Sequence, residues 1–181
     1  MILTDREIKI CIDRGLITID PLPSNIAYAS TSVDLTLDQI ISIYKKSKPG
    51  IDKSIDPTNP KFKSDEVVKE LTDFHEINPE VGYLLIPHVL ILGWTKEYID
   101  LKESRLAARV EGKSTLARLG LSVHMTSPTI HAGFDGRIRL EIVNHGEIPI
   151  CLKSDMRICQ LVFEQTFGTP DRGYQGQFSG Q

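Results

Sequence analysis

The 181-residue chain has little of several features that would narrow its chemistry at once. Cysteine is scarce: Cys11, Cys151 and Cys159 are odd in number, and none stands in a Cys-x-x-Cys pair. A disulfide framework and a thiolate zinc site are thereby disfavoured. All three thiols fall in apolar patterns and are expected to be buried as small hydrophobes. Positive charge is not in excess. The formal net charge of −3 argues against a protein that coats nucleic acid, so an anionic ligand must be met by local cations. No apolar run approaches the roughly 20 residues of a membrane-spanning helix. The start, Met1-Ile2-Leu3-Thr4-Asp5-Arg6, lacks the basic-then-apolar order of a signal peptide. A cytoplasmic protein with no membrane or nucleic-acid partner is the expectation. Gly-x-Gly-x-x-Gly is missing and strands do not alternate with helices, which disfavours a dinucleotide-binding fold.

What is present reads as a single domain over 1–181, built mainly from short strands. Thr4-Asp5-Arg6-Glu7 is a capping-box pattern, and Ile8, Cys11 and Ile12 follow at helical spacing with Gly15 as the stop, which predicts a helix over 4–14. Leu16 to Ile19 reads as a strand, and 21–31 as loop. Val33, Leu35 and Leu37 alternate with Ser32, Asp34 and Thr36, the pattern of a half-buried strand with Asp34 on its polar face, as a solvated charge in preference to a structural ion pair. Residues 45–65 form a Lys/Pro/Ser/Asp-rich surface excursion, followed by a short polar helix over 64–74. From Gly82 onward, apolar or alternating runs at 83–86, 89–94, 107–110, 121–124, 137–143, 148–152 and 157–163 are separated by turns, which points to an all-β sandwich or barrel. Residues 165–181 are rich in Gly and Gln, with Tyr174 and Phe178 able to dock over a ligand.

Three constellations carry chemistry. Gly112-Lys113-Ser114-Thr115 opens a short helical pattern. It suits either an anion cradle or a plain helix start with Ser114 as cap, and it is not a P-loop, because Ala107 stands where the upstream Gly would be. On the strand 137–143, Ile138, Leu140 and Ile142 face one way and Arg137, Arg139 and Glu141 the other. Glu141 is then either part of a surface ion pair or a general base in a pocket, where burial raises a carboxyl's pKa toward neutrality. His124 and His131 lack the spacing of a metal pair and read as hydrogen-bonded structural or rim residues.

Taken as an ordered set, the motifs are more specific. Gly112-Lys113-Ser114-Thr115-Leu116-Ala117-Arg118-Leu119-Gly120 resembles the Gly-(Lys/Arg)-Ser-(Ser/Thr)-x-(Ala/Gly)-Arg-x-Gly motif of the dCTP deaminase family, within the dUTPase-like superfamily. Gly133-Phe134-x-Gly136 with Leu140-Glu141-x-x-Asn144 resembles a second family motif, Ser32-Val33-Asp34-Leu35 its N-terminal strand, and Tyr174-Gln175-Gly176-Gln177 its closing segment.

The resemblance implies a dUTPase-like distorted β-barrel or jelly roll with a few short helices, assembled as a homotrimer with active sites between subunits. It implies hydrolysis of dCTP to dUTP and ammonia, with Mg²⁺ carried on the triphosphate and no zinc. Glu141 would act as the general acid/base, with Ser114 and Arg118 as its catalytic partners and Arg118 reaching across a subunit boundary. Lys113, Ser114, Thr115, Leu116, Ala117 and Arg118 would form the nucleotide cradle. Thr126 and Ser127 would read the cytosine edge, His131 would meet the sugar, and Arg139, Leu140 and Gln160 would line the site. Tyr174 and Gln177 would cover the nucleotide from the tail. Feedback by dTTP is a further implication. Zinc nucleobase deaminases need both His/Cys-x-Glu and Pro-Cys-x-x-Cys, and the chain has no Pro-Cys-x-x-Cys, so a deamination here would rest on a carboxylate. His131 replaces the Asp common at its position, which counts against a second, phosphohydrolytic activity, and Gly173 replaces a common Lys.

Overall fold

The computed structural model describes residues 1–46, 54–101 and 105–168. In chain order the elements are α1 (Asp5–Asp13), β1 (Thr18–Asp20), a 3-10 turn (Asn25–Ala27), β2 (Tyr28–Ala29), β3 (Ser32–Thr36) and β4 (Ile40–Tyr44). Next come α2 (Ser64–Leu71), β5 (Thr72–Glu76), β6 (Tyr83–Leu85), β7 (Leu90–Asp100), β8 (Leu106–Gly112) and the single-turn α3 (Ser114–Ala117). The chain continues through β9 (Leu121–Ser122), β10 (Thr129–Ile130), β11 (Asp135–Asn144), β12 (Ile150–Leu152) and β13 (Arg157–Gln165).

The mainly β expectation with a few short helices therefore holds. One sheet runs β5-β4-β7-β11-β9 with β1 also on β7, a second runs β10-β8-β13-β3-β2, and β12 pairs with β6. Neither larger sheet closes on itself among the described residues, so the architecture is two facing open sheets. A single apolar cluster joins them, with Val33, Leu35, Leu161 and Phe163 from one sheet against Ile41, Ile91, Leu140 and Ile142 from the other. Such side chains each contribute about 1.5–3 kcal/mol on full burial.

Helix α1 buries Ile8 against this core. Thr4 does not cap the backbone; its hydroxyl bonds the Glu7 carboxylate. Gly15 ends the helix at φ +68°, where a side chain would be strained, and the Leu16 N–H reaches back to the Cys11 carbonyl at 2.8 Å. The 21–31 segment, expected to be loop, instead contains the 3-10 turn and β2. Strands β4, β5 and β10 had no clear alternation and emerge only through pairing. The thiols divide three ways. Cys159 is buried and Cys11 half-buried, but Cys151 is exposed because it faces outward on the two-stranded sheet beside Leu84. That corrects the expectation that all three are buried.

Strand β3 departs most from its pattern. Its apolar face packs in the core, yet Ser32 and Asp34 are buried too, and Asp34 is only 6% exposed. Asp34 is not a solvated charge. Lys113 Nζ lies 2.5 Å from its Oδ1 and Arg157 Nη1 lies 3.3 Å from its Oδ2. The β13–β3 pairing brings Arg157 beside Asp34, and the β13–β8 pairing delivers Gly112, and so Lys113, to the same spot.

Candidate active site

The site is set by the register of β11 on β7. Arg139 pairs with Trp94, Leu140 with Gly93 and Glu141 with Leu92. Ile138, Leu140 and Ile142 go into the core, and Arg137, Arg139 and Glu141 go to the other face. A cavity of about 260 Å³ opens there, lined by Ser127, His131, Phe134, Arg137, Arg139 and Glu141 among others. A second cavity, of about 610 Å³, lies between α2 and the β5-β4-β7 sheet, and Arg139 and Glu141 line it as well. The two residues thus form a wall shared by both cavities.

Glu141 is half-buried and makes no ion pair with a described residue. Its Oε2 accepts the Met125 backbone N–H at a long 3.4 Å. The surface ion-pair alternative fails, because the neighbouring cations are engaged elsewhere. Arg137 pairs with Asp38 at 2.6 Å, and Arg139 lies over the Trp94 ring, 4.4 Å from its centroid. Burial lowers the Arg139 guanidinium from its ordinary pKa, opposed by nearby Tyr44 and by the carboxylates of Asp65 and Glu141, and an arginine remains protonated regardless. The carboxylate beside it is therefore available for chemistry.

The 113–118 cradle does not share this cavity. Ser114, Thr115, Ala117 and Arg118 are exposed, Leu116 leans on the core, and none of them lines either cavity. Lys113, not Ser114, occupies the N-cap position, and no side chain caps α3, which corrects the reading of Ser114 as cap. One helical turn carries little macrodipole, so an anion here would depend on free N–H groups and side-chain cations. The Lys113 amine is already held by Asp34. The Arg118 N–H reaches the Ser114 carbonyl at 3.2 Å, so the two residues keep their one-turn relation.

Gln160 belongs to the Asp34 cluster. Its Oε1 accepts the Ser32 hydroxyl at 3.0 Å and its Nε2 donates to the Gly112 carbonyl at 3.4 Å. Thr126 is exposed next to the cavity without lining it. The Leu140 side chain lies wholly in the core, so only its backbone could meet a ligand. Tyr174 and Gln177 lie outside the described residues. His124 lines the cavity, but its buried Nδ1 has no hydrogen-bond partner among the described residues, contrary to the expectation of a satisfied structural histidine. Sequence reasoning missed Phe134, Trp94 and Ser42 as neighbours of the site, since only cross-strand register brings them there. Asn144, the last residue of the Leu-Glu-x-x-Asn motif, is a structural tie. It is fully buried, donates to the Leu85 and Ile148 carbonyls at 3.1 and 2.9 Å, and accepts the Gly146 N–H at 2.9 Å.

Among the described residues, no group of three or more His, Cys, Asp or Glu converges as a metal cage would require. No described helix is long and apolar enough to cross a membrane.

Residues 2–166 match the family described as dCTP deaminase-like. The chain is 41% identical over 176 residues to a protein of Methanothermobacter thermautotrophicus named "dCTP deaminase, dUMP-forming", covering 96% of this chain and 83% of that one. It is 34% identical over 174 residues to the "dCTP deaminase" of Rhodospirillum rubrum, covering 96% and 87%. Among solved structures it superposes on the 2'-deoxycytidine 5'-triphosphate deaminase of Agrobacterium tumefaciens with a TM-score of 0.69 at 19% identity, over 91% of this chain and 48% of that longer one. That likeness shows a shared fold.

Proposed function

The chain belongs to the dCTP deaminase-like family, and from that premise we propose that it deaminates dCTP by hydrolysis. The observation that carries the reading is Glu141: a half-buried carboxylate, free of any ion pair with a described residue, in a cavity with Ser127 and His131. A water held by Glu141 attacks C4 of the cytosine ring while the carboxylate takes one of its protons. The bond to the exocyclic amine then breaks, Glu141 returns the proton to that nitrogen, and dUTP and ammonia leave. One water is consumed per ammonia released. Proton transfer by a positioned carboxylate contributes about 10²–10⁴-fold.

Ser114 and Arg118 complete the site from another copy of the chain. Supporting this is their separation from the Glu141 cavity within one chain, together with their exposure on α3 beside exposed Leu119. A homotrimer with sites between subunits satisfies both facts. Arg118 there would meet charge developing on the nucleotide. Thr126, Ser127 and His131 face the base and sugar, and Tyr174 and Gln177 close over them. Mg²⁺ enters as part of the substrate, on the triphosphate, and the described carboxylates offer it no cage. Feedback by dTTP and a cytoplasmic location complete the proposal.

A second reading has one specific support: the 41%-identical relative carries the words "dUMP-forming". On that reading a second water removes pyrophosphate, and the products are dUMP, ammonia and pyrophosphate. One incubation with dCTP and Mg²⁺, resolved for ammonia, dUTP and dUMP, separates the readings. Ammonia with dUTP supports the first, ammonia with dUMP the second, and binding without ammonia overturns both. Glu141→Gln should abolish ammonia release and retain nucleotide binding.

A further inference from the structure

The wall between the two cavities contains an arginine fixed more firmly than a surface strand would require. The β11–β7 ladder is irregular just before Glu141: Ile138 alone stands opposite Thr95, Lys96 and Glu97. Thr95, fully buried, closes the gap, with its hydroxyl accepting the Ile138 N–H at 3.0 Å and donating to the Glu97 carbonyl at 2.9 Å. Glu97, also buried, is held in turn by the Thr36 N–H and hydroxyl at 2.9 and 2.7 Å. This irregularity sets Trp94 directly opposite Arg139. The guanidinium lies on the indole face at 4.4 Å, and one edge reaches the hydroxyl of Ser42, a buried residue of β4, at 3.4 Å. A guanidinium has five N–H donors in a rigid fork. The stacking takes its face and Ser42 one corner, which leaves donors toward the cavities.

We propose that Trp94 and Ser42 are positioning residues that hold Arg139 as a specificity-determining donor for the acceptor edge, O2 and N3, of the pyrimidine whose C4 lies at Glu141. The inference rests on the proposed deamination for the identity of that ring. Two residues along one strand face span about 7 Å, room for a six-membered ring between carboxylate and guanidinium. Partial burial strengthens such a hydrogen bond, because little water competes for the donor. Among the described residues, Arg139 is the only cation that lines both cavities, so a ligand entering through either one meets it.

The test is a calorimetric titration of the whole chain with dCTP and with deoxycytidine, which has the ring but no phosphate. Arg139→Met should weaken both ligands by the same factor, about 10- to 100-fold, as expected for a lost bond to a charged donor. Trp94→Leu should raise KM for dCTP about ten-fold with kcat little changed, and Trp94→Phe, which keeps an aromatic face, should restore most of it. Trp94 is the sole tryptophan, so its emission in Arg139→Met also reports directly whether the stack is lost. Weakening of dCTP alone would mean a phosphate contact and would overturn the assignment. So would equal, or equally absent, deoxycytidine binding in wild type and Arg139→Met, or a Trp94→Phe variant as impaired as Trp94→Leu. A wild-type chain that bound both ligands in this pattern but released no ammonia would instead overturn the deamination and leave the recognition standing.

Discussion

Asp34→Asn tests whether the buried carboxylate of β3 organises the loop that leads into the cradle. Asp34 is 6% exposed and serves two cations, and the side chains of Lys113 and Arg157 are 21% and 48% exposed. At an effective dielectric near 20, a charge pair at contact is worth about 4 kcal/mol before desolvation. The more exposed Arg157 adds about 0.5–1 kcal/mol, as a surface pair does. Removing one member of a fully buried pair costs about 3–5 kcal/mol, because the other charge is stranded. Both cations here can turn toward water, so the net loss should be about 2–3 kcal/mol. For a chain of this length that lowers Tm by roughly 5–10 °C. The assay is urea and thermal unfolding at one fixed protein concentration, since assembly would otherwise shift the midpoint. Lys113→Met alone should cost less than Asp34→Asn, because Arg157 still neutralises the carboxylate, and the double variant should recover part of the loss. A loss below about 0.5 kcal/mol would refute the argument and return Asp34 to the class of weak surface pairs.

Three further outcomes are expected. Asn144→Ala should cost about 3 kcal/mol in urea unfolding, about one for each hydrogen bond of this buried side chain, and should do so without a specific change in nucleotide affinity. Gly120→Ala should lower stability by at least about 2 kcal/mol, since Gly120 sits at φ +93° and an added Cβ would lie 2.5 Å from the Gly146 backbone nitrogen; a normal Tm would contradict this. Thiol labelling at pH 8 should modify Cys151 first and Cys159 only on unfolding. Burial, with Glu97 and Asp34 nearby, pushes the Cys159 thiol far above its ordinary pKa, so the reactive thiolate is absent at that pH. Burial raises Cys11 as well, so it should react more slowly than Cys151.

Much of the molecule was legible in the order of residues alone. Period-two alternation marked β3, β11 and β13, because a strand with one face in a core must alternate. Helical spacing and a terminal Gly marked α1. The same alternation put Arg137, Arg139 and Glu141 on one face before any partner strand was known. Where alternation was absent, reading failed. Strand β7 carries the buried Glu97 in its second half, and that carboxylate is tolerated only because Thr36, 61 residues away, bonds it with both N–H and hydroxyl. The expected strand therefore stopped at Trp94, six residues short of the actual end.

By itself the sequence determined the family and the mainly β class, because motifs and periodicity are local properties of the chain. Only the tertiary structure decided what each charge does. Asp34 looked like a surface group, and pairing across β3, β13 and β8 buried it in one cluster with Lys113 and Gln160. Arg139 looked like a partner for Glu141, and the irregular β11–β7 register gave it to Trp94 and Ser42 instead. The cradle at 113–118 and the carboxylate at 141, adjacent by motif, line no common cavity in one chain. Whether a charge is paired or free depends on which strands lie side by side, and contacts between residues distant in sequence set that.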